Sequence, residues 1–93
     1  MDFQTVNGED RGDVLLYALS TCGWCRKTRE LIESLGVKYR YSYVDLLQGE
    51  ERDEAVKDIK EINPALSFPT LVINGEVFVG FREEEIKEAL KGG

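Results

Sequence analysis

The chain has 93 residues, two cysteines, no histidine and 18 acidic against 12 basic side chains, a formal net charge of −6. That length makes one small domain, and an apolar content of 42% is enough for one core but not for two. The acidic balance argues against nucleic-acid binding, which normally shows a basic face. The lack of histidine removes Cys-His nucleophilic catalysis and the commonest zinc ligand. Met1-Asp2-Phe3-Gln4 carries no basic leader, and no apolar run approaches a membrane span. The expectation is a cytoplasmic monomer with no membrane partner, in a compartment where structural disulfides are rare.

Residues 1–12 are polar and read as an N-terminal extension, with turn signals at Asn7-Gly8 and Arg11-Gly12-Asp13; a short extra strand at Phe3, Thr5 and Val6 is a candidate. The domain proper spans 13–93. The apolar run Val14 to Leu19 predicts a buried strand, which Ser20-Thr21 end. Residues 23–35 predict a helix, with Cys25, Thr28, Leu31, Ile32 and Leu35 on one face and Gly36 as its stop. Residues 38–44 alternate and predict a strand near a sheet edge. Tyr39, Tyr41 and Tyr43 lie on one side, with sheet packing the better reading than a partner surface, and Lys38, Arg40, Ser42 and Val44 on the other. Asp45 to Gly49 reads as a loop.

Glu50 to Ile62 predicts a second helix with Ala55, Val56, Ile59 and Ile62 as its stripe, an i,i+4 pair between Asp53 and Lys57, and a stop at Asn63-Pro64. Leu71-Val72-Ile73, Asn74-Gly75 and Val77-Phe78-Val79 give the strongest hairpin signal in the chain. Glu83 to Lys91 predicts a last helix burying Ile86, Ala89 and Leu90, before a frayed Gly92-Gly93 tail. The acid runs at Glu50 to Glu54 and Glu83 to Glu85 read as solvated helix starts, where carboxylates suit the dipole. The order β-α-β-α-β-β-α implies a right-handed parallel βαβ unit followed by an antiparallel pair. The fold class is therefore α/β, a four-stranded mixed sheet flanked by three helices.

Cys22-Gly23-Trp24-Cys25 holds both cysteines, between the first strand and the first helix. A thiol at that junction meets unpaired backbone N–H groups and the positive end of the helix dipole, which favour a thiolate. The second thiol lies one turn on. A fixed disulfide and half of a zinc site are the bland alternatives, but two cysteines without histidine leave too few ligands for zinc. Trp24, between the cysteines, is expected to be exposed.

This order with a CxxC pair resembles the thioredoxin fold, and within it the glutaredoxin family, over roughly residues 14–91. Three stretches carry the resemblance: Ser20-Thr21-Cys22-Gly23-Trp24-Cys25, Phe68-Pro69-Thr70, and Asn74-Gly75 followed by Gly80-Phe81-Arg82. It implies a dithiol–disulfide oxidoreductase in which Cys22 attacks and Cys25 resolves a mixed disulfide. It also implies a cis-proline at Pro69, a backbone edge at Phe68 that pairs with substrate, and a substrate-facing surface of Thr21, Trp24, Phe68, Pro69, Thr70, Gly80, Phe81 and Arg82. Arg26 and Lys27 would support the Cys22 thiolate if they lean toward it. No tightly bound cofactor is implied. The partners are disulfide-bearing proteins or small thiols, with electrons from an external donor.

The identity of that donor is where the chain departs from the family pattern. Leu19 stands where glutathione-using members carry a lysine, and Val79-Gly80-Phe81-Arg82 stands where they carry Gly-Gly-x-Asp. A charge-assisted hydrogen bond contributes about 1.5–3 kcal/mol, so losing two weakens glutathione by on the order of a hundredfold unless Arg82, Lys27 or Lys38 substitutes. Gly80-Phe81-Arg82 instead resembles redoxins that serve ribonucleotide reductase and are reduced by a thioredoxin reductase. The acidic second helix ending in Asn63-Pro64 is similar to archaeal and anaerobe members, some of which use coenzyme M. Gly23 replaces the family's usual proline. Some members lacking it hold a [2Fe–2S] cluster between two subunits, which here would need external thiols as ligands.

Overall fold

A computed structural model of the chain describes residues 3–91, so the expected Gly92-Gly93 tail lies outside the described residues. The elements in order are β1 (Gln4–Val6), β2 (Val14–Ala18), α1 (Gly23–Ser34), β3 (Tyr39–Tyr43), a 3-10 turn (Val44–Leu46), α2 (Gly49–Ile62), β4 (Thr70–Ile73), β5 (Glu76–Val79) and α3 (Glu83–Leu90). One five-stranded mixed sheet runs β1-β3-β2-β4-β5. β2 and β3 are parallel across α1, while β4 is antiparallel to β2, and β5 to β4. This is the thioredoxin fold with a strand added.

The added strand forms the sheet edge and β3 lies next to it, near the edge as expected: β1 pairs antiparallel along β3 from Gln4↔Tyr41 to Val6↔Tyr39. The following loop closes on the same strand: Glu9 N–H donates to the Gly36 carbonyl at 2.7 Å, and Lys38 N–H to the Glu9 carbonyl at 2.8 Å. Gly8 permits that approach. A Cβ there would stand 2.6 Å from the Lys38 nitrogen and the Val37 carbonyl carbon.

The period of two along β2 divides the core into two layers. Val14, Leu16 and Ala18 pack with Leu31 and Ile32 of α1, Ile86 and Leu90 of α3, and Leu71, Ile73 and Phe78 of the hairpin. Tyr17, on the opposite face, packs with Val44 and with Ala55 and Ile59 of α2. At the hairpin tip Asn74 and Gly75 both have positive φ, 49° and 87°, as a two-residue type I′ turn requires.

The second helix departs from its predicted form in three details. It starts at Gly49, the preceding loop contains a 3-10 turn, and Ile62, its last residue, is exposed. No ion pair joins Asp53 and Lys57 among the described residues. The tyrosine stripe of β3 does pack on the sheet. Arg29 of α1 lies over Tyr41 at 3.9 Å from the ring centre and donates to the hydroxyls of Tyr39 and Tyr43.

Ser42 is the misfit in this core. It is buried on the α2 side, paired in register with Tyr17, and its hydroxyl has no hydrogen-bond partner among the described residues. Burying such a group costs about 1–3 kcal/mol. Ser42→Ala is therefore expected to raise the unfolding free energy by about 1 kcal/mol, with an unchanged slope in urea. A lower unfolding midpoint would show that the hydroxyl has a partner after all.

Candidate active site

β2 ends at Ala18 and the chain turns sharply, with Cys22 N–H donating to the Leu19 carbonyl at 3.2 Å. Asp45 holds this turn from the side. One of its oxygens accepts the Ser20 N–H at 2.9 Å, and the other accepts the Ser20 hydroxyl. Slight burial works against ionisation of Asp45, but the Ser20 hydrogen bonds prevail and keep its carboxyl below the ordinary range. Nothing in the sequence pattern marked Asp45 as more than a loop residue, since its partner is 25 positions away.

Cys22 is the N-cap of α1. Its backbone is extended (φ −90°, ψ 116°), and its Sγ accepts the Cys25 N–H at 3.2 Å. The sulfur thus takes the place that a Ser, Thr, Asp or Asn oxygen usually fills at a helix start. No acidic residue lies in the first turn of α1, whereas α2 opens with Glu50 and Glu51 and α3 with Glu83, Glu84 and Glu85. The positive end of α1 is left to the sulfur. Arg26 and Lys27 of the same turn each have another partner. Arg26 pairs with Glu30 at 3.9 Å, and the Lys27 Nζ lies 4.9 Å from the centre of the Trp24 ring.

Both cysteines are free thiols; Cys22 is half-buried, and Cys25 is 1% exposed. Burial is the main cause pushing the Cys25 thiol up to about 12, with the hydrogen bond and charge of Cys22 adding to it; a backbone hydrogen bond from Leu19 acts the other way. Among the described residues no group of three or more His, Cys, Asp or Glu is placed to hold a metal ion. Of the two cysteine sulfurs, that of Cys22 is the accessible one.

The folded state keeps the Cys25 proton where an unfolded chain would lose it. Its contribution to stability is thus complete below pH 9 and is lost as pH rises from 9.0 toward about 12. Tyr17 and Tyr39, both raised chiefly by burial, act in the same direction. The urea midpoint of the reduced protein is expected to fall through this alkaline window. Cys25 should resist iodoacetamide until well above pH 9, and a second alkylation near pH 8 as fast as the first would contradict its burial.

Across from Cys22 lies the segment joining α2 to β4. Asn63, buried at the end of α2, donates through Nδ2 to the Ser67 carbonyl (3.1 Å), the Ser67 hydroxyl (3.3 Å) and the Thr70 hydroxyl (3.0 Å). The Thr70 hydroxyl donates to the Ser67 carbonyl at 2.8 Å. Thr70 is fully buried, and its side chain shapes the loop from behind. Asn63, read from the sequence only as a helix stop, proves to be the loop's main anchor. Asn63→Ala should destabilise the fold by about 2 kcal/mol in urea titration, because it leaves buried acceptors without their donor.

The Phe68-Pro69 peptide is cis, and the Pro69 carbonyl accepts the Gly80 N–H at 2.9 Å. The N–H and carbonyl of Phe68 join no hydrogen bond outside the regular elements among the described residues. Trp24, 57% exposed, stacks on Phe81 with ring centres 5.7 Å apart. Trp24, Phe68, Pro69, Gly80 and Phe81 enclose a recess of about 260 Å³, so five predicted surface residues converge. Arg82 is exposed beside it, donating to the Val79 carbonyl and 4.0 Å from Glu85.

Thr21 lies on the other side of Cys22, in a hollow of about 340 Å³ with Leu19, Ser20, Gly23, Arg26 and Tyr43. A third hollow, about 180 Å³, places Arg52 of α2 with Leu19, Val44 and Phe68. Lys38 sits at the far end of β3, near Thr5 and Asp10, away from the cysteines.

The glutaredoxin family profile matches residues 14–78. The chain belongs to the glutaredoxin family. It is 51% identical to the glutaredoxin of Methanosarcina mazei Go1, covering 96% of this chain and 87% of that one, with a TM-score of 0.87. It is 49% identical to methanoredoxin of Methanosarcina acetivorans, covering 90% of each chain, with a TM-score of 0.86. A curated relative is an uncharacterised glutaredoxin-like 8.6 kDa protein in the rubredoxin operon of Clostridium pasteurianum, 26% identical over 84% of this chain and 97% of that protein. As a glutaredoxin, the chain is a thiol–disulfide oxidoreductase. No helix among its described residues is long and apolar enough to cross a membrane.

Proposed function

We propose that this glutaredoxin works by a dithiol route in which Cys22 attacks and Cys25 resolves. The observation that carries this reading is the asymmetry of the pair: a half-buried sulfur capping a helix, next to a buried thiol that keeps its proton. The Cys22 thiolate attacks a substrate disulfide, forming a Cys22–substrate bond and expelling the other substrate sulfur, which takes a proton from solvent. Cys25 then attacks Cys22. Their disulfide forms, the second substrate sulfur leaves, and the Cys25 proton goes to it. The substrate has gained two electrons and two protons. Of the causes that hold Cys25 protonated, the hydrogen bond and charge of Cys22 vanish once Cys22 is bound in a neutral mixed disulfide, and burial remains. Resolution is thereby favoured after capture.

The aromatic recess and the unpaired backbone of Phe68 suit a polypeptide disulfide. Thr21, Trp24, Phe68, Pro69, Gly80, Phe81 and Arg82 form its contact surface, with Thr70 supporting from behind. The reading includes a cytoplasmic setting, where structural disulfides are rare and a CxxC pair is more often catalytic. The donor is an external small thiol or a thioredoxin-reductase-type flavoprotein. Leu19 and the absent Gly-Gly-x-Asp segment weigh against glutathione, for which Arg52 in the Leu19 hollow leaves one cation. Coenzyme M and a reductase with NADPH are the other members of the donor panel.

Cys22→Ser should abolish reduction of insulin and of small mixed disulfides. Cys25→Ser should lose insulin reduction and keep turnover of small mixed disulfides. In the donor panel, glutathione should reduce the oxidised protein most slowly. Turnover surviving in Cys22→Ser, or Cys22 alkylated no faster than Cys25 at neutral pH, would sink the assignment of roles.

A further inference from the structure

β5 is the sheet edge opposite β1. Asn74 and Gly75 form a two-residue turn, so Ile73 and Glu76 exchange the first hydrogen bonds of the hairpin. Antiparallel pairing then alternates, and Val77 and Val79 turn their N–H and carbonyl groups away from β4. Arg82 Nε donates to the Val79 carbonyl at 3.0 Å and closes the far end of this edge. Among the described residues, the N–H and carbonyl of Val77 and the N–H of Val79 are left open to an outside strand.

A groove of about 470 Å³ runs beside that edge, between β5 and α3. Phe78 and Ala89 give it an apolar floor, and Glu76, Glu84, Glu85 and Glu88 surround them. No Lys or Arg lines it among the described residues. Two cations reach its rim through long, exposed pairs that exchange easily: Arg82 lies 4.0 Å from Glu85, and Lys91 3.5 Å from Glu88. Glu76 and Glu84 join no ion pair among the described residues. The dipole of α3 accounts for Glu84 and Glu85 in its first turn, but not for Glu88 near its end or for Glu76 on the strand.

An apolar floor under carboxylates suits a long basic side chain, whose methylenes cover Phe78 and Ala89 while its head meets the acids. A second copy of this chain has the same open edge but brings the same four carboxylates, and is repelled. We propose that β5 and this groove dock an extended basic segment of a partner polypeptide, which joins the five-stranded sheet as a further strand. Side chains of such a strand alternate between the two faces. Those on the α3 face are Lys or Arg and enter the groove. Those on the other face are apolar and lie beside Val77 and Val79, which are half-buried. β5 leads into Gly80, which lines the aromatic recess, so the docked segment lies at the border of that recess. The surface does not depend on which cysteine attacks.

The test follows backbone amide shifts of the isotope-labelled, reduced full-length protein as an end-blocked peptide of alternating valine and lysine is added. The peptide has no cysteine, so its binding is independent of the dithiol chemistry. The largest shifts should fall on residues 76–79 and 84–89, and exchange of the Val77 and Val79 amides with solvent should slow. Glu84→Gln with Glu88→Gln should weaken association about fivefold, the scale of two exposed ion pairs. Glu51→Gln with Glu54→Gln makes the same change of net charge on α2 and should leave it unchanged. A peptide methylated on its valine nitrogens keeps every lysine but cannot pair with the edge, and should not bind. Equal binding of the methylated peptide would reduce the effect to charge alone and overturn the proposal. Equal weakening by the two double variants, shifts centred elsewhere, or no shifts at millimolar peptide would each overturn it as well.

Discussion

One hydrogen bond links folding to chemistry in this protein: the amide of Cys25 donating to the sulfur of Cys22. An α-helix begins with N–H groups that lack partners, and Ser, Thr, Asp or Asn usually satisfies one of them. Here the partner is the Cys22 sulfur, so the atom that completes the helix start is also the accessible thiol of the pair. The turn from Leu19 to Thr21, the Asp45 grip on Ser20 and the extended backbone of Cys22 all serve to bring that sulfur to the cap.

Sheet order then determines what surrounds the sulfur. Because β2 is central, its C-terminal end is flanked by β3 on one side and β4 on the other. The β4 side receives the Asn63-anchored loop and the Trp24–Phe81 stack. The β3 side receives Tyr43, clamped by Arg29. A parallel neighbour and an antiparallel neighbour thus give one reactive atom two unlike approaches.

The sequence made the frame and the pair readable because those signals are local. The CxxC spacing, the alternation through β3, and Asn74-Gly75 between apolar runs each act within a few residues. Trp24, Phe68, Pro69, Gly80 and Phe81 came together as the family resemblance implied. What stayed hidden depends on partners far apart in sequence. Asp45 reaches Ser20, Tyr43 reaches Arg29, and Arg52 enters the Leu19 hollow, none of which has a spacing rule. That Thr70 is buried was not legible, because motif membership does not reveal which way a side chain points. Ile62 was misjudged because helical periodicity does not reveal where the end of a helix stops packing.

The placement of charge follows from the same helix rule applied in two opposite ways. Carboxylates sit in the first turns of α2 and α3, where they satisfy the dipole and keep the surface acidic. α1 has none there, and its first turns carry Arg26, Lys27 and Arg29 instead. Arg26 and Arg29 are matched one turn on by Glu30 and Glu33. An acid in the first turn of α1 would help that helix as it helps the others, but it would compete with the sulfur for the same amides. The exception at α1 is therefore a cost in helix stability accepted at the terminus that a sulfur caps.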